Sequence, residues 1–135
     1  MNDTELSQFL DRPLTAVVST VREGGAPHAV PVWYRFTGES VRVWTDETRL
    51  WVQNLRRDPR ASVTVAEAEA PFAAVLMSCT ATVATEQPWI ADEVRAIAQR
   101  YVPAADLDAY IAQWSQLRTV VTLTPARNIS WGRGY

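Results

Sequence analysis

The chain is cut into short runs of β-branched and small residues by turns containing Gly, Pro and Asp, and this punctuation constrains its fold more than any other feature. Residues 14–22 (LTAVVSTVR) read as a strand, closed by the turn signal Glu23-Gly24-Gly25. Residues 27–36 alternate, with His28, Val30, Val32, Tyr34 and Phe36 on one face. Thr37-Gly38-Glu39 turns the chain into a third strand over 40–45. Residues 60–66 and 72–85 read as a fourth and a long fifth strand. A sixth covers 117–124 and gives way to a tail over 125–135 that carries Trp and Gly.

Helical spacing is sparser. Asp3 or Thr4 can cap a short helix whose Leu6, Phe9 and Leu10 share one face. Leu50, Val52 and Leu55 predict a helix over 48–57, stopped by Asp58-Pro59. Pro88 opens a helix with Ile90, Val94, Ile97 and Tyr101 in register, ended by Pro103. Leu107, Tyr110, Ile111 and Trp114 mark a last amphipathic helix. Strands joined by hairpin turns, with few helices, predict a mainly β (α+β) fold: an antiparallel Greek-key or meander barrel of six or so strands with short flanking helices, one domain over 1–135. The absence of β-α alternation argues against a parallel sheet.

Composition narrows the chemistry. Every one of the thirteen basic residues is Arg, so Schiff-base and lysine-base mechanisms are excluded. One His and one Cys cannot build a structural zinc site, and no metal is expected. Cys79 lies mid-strand among small residues and reads as an inert core thiol, and a lone cysteine suits a reducing compartment. His28 reads as a structural histidine or a pocket residue. The net charge of −2 and the lack of a basic stripe argue against a nucleic-acid partner. The polar start (MNDTELSQFL) does not resemble a signal peptide, and no apolar run is long enough to span a bilayer. A cytoplasmic location without a membrane partner is the expectation. No P-loop, GxSxG or GxGxxG occurs, so the hard chemistry of an enzyme built this way would belong to a cofactor.

The informative segment is WTDETRLWVQNLRRDPR, residues 44–60. Its turn leads into a helix start, where Thr48 offers a hydroxyl and Arg49 a guanidinium beside unpaired backbone N–H groups. Dipole, hydroxyl and charge converge there as a phosphate requires; a merely capped helix with a solvated Arg is the alternative.

Taken with the opening hairpin AVVSTVREGGAPHAVPVWY, the segment VWTDETR, the run NLRRDPRASVTV and the terminal RTVVTLTPARNISW, the chain resembles the split-barrel superfamily of pyridoxamine 5′-phosphate oxidase-like proteins. It is similar in particular to the small flavin and deazaflavin oxidoreductases that use FMN or F420. The resemblance implies a homodimer with two cofactor sites at the interface. It places Thr45, Thr48 and Arg49 at the cofactor phosphate or ring edge, and Pro31, Val32 and Trp33 along the ring. Asn54, Arg56, Arg57 and Arg60 would build the turn and the dimer surface, and Trp131 of the partner would cover one ring. Trp51 departs from the pattern: the deazaflavin branch commonly has Lys there. Its loss costs the phosphate site about 1–3 kcal/mol unless Arg56 or an Arg of the partner compensates. The expected function is hydride transfer between F420 or FMN and a small conjugated substrate. The alternative is a non-catalytic dimeric module that binds or senses a flavin, tetrapyrrole or fatty acid.

Overall fold

The computed structural model describes residues 1–131, with side chains described through residue 126. Helix α1 (Asp3–Leu10) precedes strands β1 (Ala16–Val21), β2 (Pro27–Val32), β3 (Arg35–Phe36) and β4 (Val41–Thr45). Helix α2 (Leu50–Arg57) leads to β5 (Arg60–Ala66) and β6 (Ala74–Thr85), then α3 (Ile90–Ala98), α4 (Leu107–Gln113) and β7 (Thr119–Trp131). The seven strands form one sheet in the order β2-β1-β5-β6-β7-β4-β3, each pairing antiparallel.

The outer strands of that order, β2 and β3, are consecutive in the chain and separated only by Trp33 and Tyr34. Three Cα–Cα steps span at most about 11 Å, so the sheet must curl until its two edges nearly meet. That is the expected split barrel. Alternation fills it: Ala16 and Val18 of β1, Val63 and Val65 of β5, and Val75 and Met77 of β6 are all buried in one cluster. Helix α2 lays Trp51, Val52 and Leu55 into the same cluster.

The joint is stitched in place. Tyr34 is fully buried, and its hydroxyl donates to the Leu10 carbonyl at 2.8 Å and the Arg12 carbonyl at 3.2 Å. Just beyond α3, Arg100 donates to the carbonyls of Tyr34, Asp11 and Arg12, each at 2.9 Å. Tyr101 accepts the Tyr34 N–H at 3.2 Å and donates to the Leu14 carbonyl at 2.7 Å. On the other side of the joint, the buried Glu93 carboxylate of α3 bridges Arg35 at 2.6 Å and Arg42 at 2.7 Å. Burial alone would raise the Glu93 pKa; the hydrogen bonds and charges of the two guanidiniums outweigh it and hold it below its ordinary value.

Four local expectations are corrected. The second strand does not run to residue 36 but breaks at Trp33-Tyr34, where the chain changes edges. Helix α1 is capped by Asn2, whose Oδ1 accepts the Glu5 N–H at 2.8 Å, rather than by Asp3 or Thr4. Helix α2 begins at Leu50 and not at Thr48, because Asp46 shapes the preceding turn: its Oδ1 takes the Thr48 N–H at 3.0 Å and its carbonyl the Arg49 N–H at 3.2 Å. The sixth predicted strand continues through Pro125 as β7, paired with β6 along its whole length. Pro125 sits opposite Cys79 at a register shift, where an absent N–H breaks no ladder.

Replacing Tyr34 by Phe removes a buried donor from the Leu10 and Arg12 carbonyls, which keep their Arg100 contacts at 3.3 Å and 2.9 Å, at a cost of about 1–2 kcal/mol. For a domain of this size the Tm should fall by roughly 3–8 °C. Thermal unfolding followed by circular dichroism checks this; an unchanged Tm would show that the hydroxyl does not hold the joint.

Candidate functional site

A cleft of about 740 Å³ opens beside the joint. Small-molecule sites run roughly from 300 to 1,000 Å³, so it suits a ligand of cofactor size. Three parts of the chain build it. Strand β2 and its end supply His28, Val30, Pro31, Val32 and Trp33. The passage from β4 into α2 supplies Trp44, Thr45, Arg49, Leu50 and Trp51, and the helical segments supply Ile97, Tyr110 and Trp114.

One wall is aromatic. Trp33 stacks on Tyr101 with ring centres 4.7 Å apart and planes 3° from parallel. Tyr110 lies 5.7 Å from Trp33, meets Trp44 edge-on at 6.3 Å and reaches Trp114 at 6.5 Å. The Trp44 indole N–H donates to the Leu117 carbonyl at 2.6 Å, which fixes the ring against the segment that leads into β7. Such rings offer planar apolar surface with little freedom left to lose on binding.

The polar part is positive. Arg49 occupies the N-cap position of α2, yet its side chain makes no capping hydrogen bond. Among the described residues its guanidinium has no ion-pair partner, and no carboxylate lines the cleft. His28 adds an imidazole, whose Nδ1 lies 3.3 Å from an Arg22 nitrogen. A free guanidinium at a helix start, in a cleft without acids, is a place for an anion.

Of the site residues expected from sequence, Pro31, Val32, Trp33, Thr45, Arg49 and Trp51 line this one cleft. Thr48 does not: it is exposed in the turn before the helix. Trp51 is 5% exposed and packs into the core, so the position where a lysine was expected faces the core and only borders the cleft. Arg56 supplies no replacement charge, because it pairs with Glu47 at 3.2 Å. The rest of NLRRDPR builds structure. The buried Asn54 amide donates to Thr20 at 3.1 Å and ties α2 to β1. Arg57 donates to the Val21 carbonyl, and Arg60 clasps Asp58 at 2.7 Å. The Trp131 side chain, expected over a partner's ring, lies outside the described residues.

Sequence reasoning missed Trp44, Tyr110 and Trp114. Tyr110 and Trp114 fall on the apolar stripe of α4, and such a stripe reads as core. Among the described residues no group of three potential metal ligands comes together. No described helix is long and apolar enough to cross a membrane.

The family model for pyridoxamine 5′-phosphate oxidase matches residues 3–132. No curated protein matches the chain. Among solved structures, a conserved hypothetical protein from Mycobacterium tuberculosis superposes with a TM-score of 0.82 at 22% identity, over 97% of this chain and 84% of that one. An F420 reductase superposes at 0.72 with 21% identity, over 91% and 94%. The heme storage protein HutZ from Vibrio cholerae superposes at 0.76 with 16% identity, over 97% and 95%. At these identities the likeness is one of fold.

A thiol has no part in the cleft. Cys79 is buried in β6, and burial pushes its pKa up to about 11. The folded protein should react with Ellman's reagent at least about tenfold more slowly than the unfolded chain, which should release one equivalent at once. Rapid reaction of the folded protein would show an accessible thiolate.

Proposed function

The chain belongs to the pyridoxamine 5′-phosphate oxidase family, and on that premise we propose that its cleft holds FMN or F420 and serves hydride transfer to a small conjugated substrate. The carrying observation is the pairing of Arg49, without an ion-pair partner among the described residues, with an aromatic wall in a cleft that no described carboxylate lines. Arg49 and the first N–H groups of α2 would hold the cofactor phosphate, with Thr45 beside them and Thr48 in the adjoining turn. Pro31, Val32 and Trp33 would lie along the ring, and Trp51 would back it. The bound cofactor supplies the hydride chemistry; the protein orients it and keeps water out.

A second copy completes the reading. The outer face of β2, β1, β5 and β6 presents Val17, Ala29, Pro31, Thr64, Leu76 and Ser78, small or apolar side chains, with the charge of Arg60 at the start of β5 paired to Asp58. Obligate dimers bury apolar surface of this kind, so the protein is read as a homodimer joined through that sheet. Cytoplasmic placement accords with its lone, buried cysteine.

A non-catalytic tetrapyrrole-binding module is the second reading. Its favouring observation is His28, the chain's one histidine, in the lining of the same cleft. Binding of hemin with a Soret band lost in His28→Ala would select it.

A charge-assisted hydrogen bond contributes about 1.5–3 kcal/mol. Arg49→Ala should therefore weaken FMN or F420 binding roughly ten- to a hundredfold. Riboflavin, which lacks the phosphate, should lose little. Fluorescence titration of wild type and variant with all three ligands measures this. Equal losses for riboflavin and FMN would remove Arg49 from the phosphate.

A further inference from the structure

The described tyrosines divide by what their hydroxyls do. Tyr34 donates to the Leu10 carbonyl and Tyr101 to the Leu14 carbonyl, so both hydroxyls are engaged in the fold. Tyr110 differs. Its ring is set among Trp33, Trp44 and Trp114 on the cleft wall, yet its hydroxyl makes no hydrogen bond among the described residues. Its oxygen is not among the buried polar atoms without a partner, and the residue lines the cleft. A rigid ring carrying an uncommitted hydroxyl is a donor positioned in advance.

We propose that the Tyr110 hydroxyl is the hydrogen-bond donor to the carbonyl oxygen of a planar, conjugated substrate lying against the aromatic wall. This rests on the cofactor reading above and assigns the substrate class: enones, quinones and related C=C–C=O compounds. When such a substrate gains a hydride at its far carbon from a reduced flavin or 5-deazaflavin, its C=C π pair shifts toward the carbonyl oxygen. The resulting enolate takes its proton from water, giving the saturated ketone from an enone or, after tautomerisation, the hydroquinone from a quinone. A donor aimed at that oxygen gains strength as the charge develops there, which is how such a contact lowers a barrier. Burial raises the Tyr110 pKa, so the phenol keeps its proton near neutrality and acts as donor rather than base. Among the described residues no carboxylate lines the cleft to compete for it.

The test uses the protein loaded with FMN or F420 and needs no turnover. The probe is 4-nitrophenol, planar like the substrate, whose colour reports the charge on an oxygen that imitates the enolate. Tyr110→Phe keeps the ring in its packing and removes only the hydroxyl. Its affinity for 4-nitrophenolate should fall about tenfold or more, while nitrobenzene and the cofactor bind within roughly twofold of wild type. The 4-nitrophenol pKa on the protein should also rise toward its solution value in the variant. Equal phenolate affinity in both proteins overturns the Tyr110 assignment and leaves the cofactor reading standing. Failure of wild type to bind either cofactor overturns both.

Discussion

The two edges of a seven-stranded sheet are joined by two residues, and the barrel is shaped around that short link. Because β2 and β3 cannot separate by more than the span of Trp33-Tyr34, the sheet closes on itself and its interior becomes the core. The link needs its own support, since a strand that leaves one edge for another carries backbone groups that no ladder satisfies. Tyr34, Tyr101 and Arg100 meet that need by hydrogen bonds to Leu10, Arg12, Leu14 and Tyr34 itself. The ends of α1 and α3 are thereby tied to one point.

The cleft is a consequence of the same link. Where the chain leaves β2, Trp33 is turned out of the core and stacks on Tyr101, while Tyr34 is turned in. Helices α3 and α4 fill the space beside the corner and bring Tyr110 and Trp114 against Trp33. On the other flank, the Asp46 turn sets Arg49 at the start of α2 without engaging its guanidinium. A stacked aromatic surface and a spare cation thus share one opening. The two acids of the turn before it are engaged elsewhere, Glu47 by Arg56 and Asp46 by the Thr48 N–H.

Strand alternation and turn chemistry were legible because they are local: the Gly24-Gly25 hairpin, the strand over 60–66 and the stop at Asp58-Pro59 all follow from neighbouring residues. The break at Trp33-Tyr34 was not, because Tyr34 and Phe36 keep the parity of Val30 and Val32 and the alternation runs through the corner unmarked. Pro125 read as a strand end, since only the register shift against β6 makes it tolerable within β7. Arg49, Thr45 and the β2 residues were placed in the cleft region by the strand-turn-helix segment and the family resemblance. Tyr110 and Trp114 were hidden because their stripe on α4 looks like any buried face until Trp33, far away in sequence, is seen to lie against it.

Among the described side chains, Trp33, Trp44, Trp51 and Trp114 line the cleft, so intrinsic fluorescence reports directly on whether a flavin-like ligand enters it. Titrating the purified protein with FMN and with F420 should quench most of the emission saturably, with one ligand bound per chain. Emission unchanged by either compound up to millimolar concentration, or quenched only by hemin, would contradict the account of the cleft as a flavin or deazaflavin site.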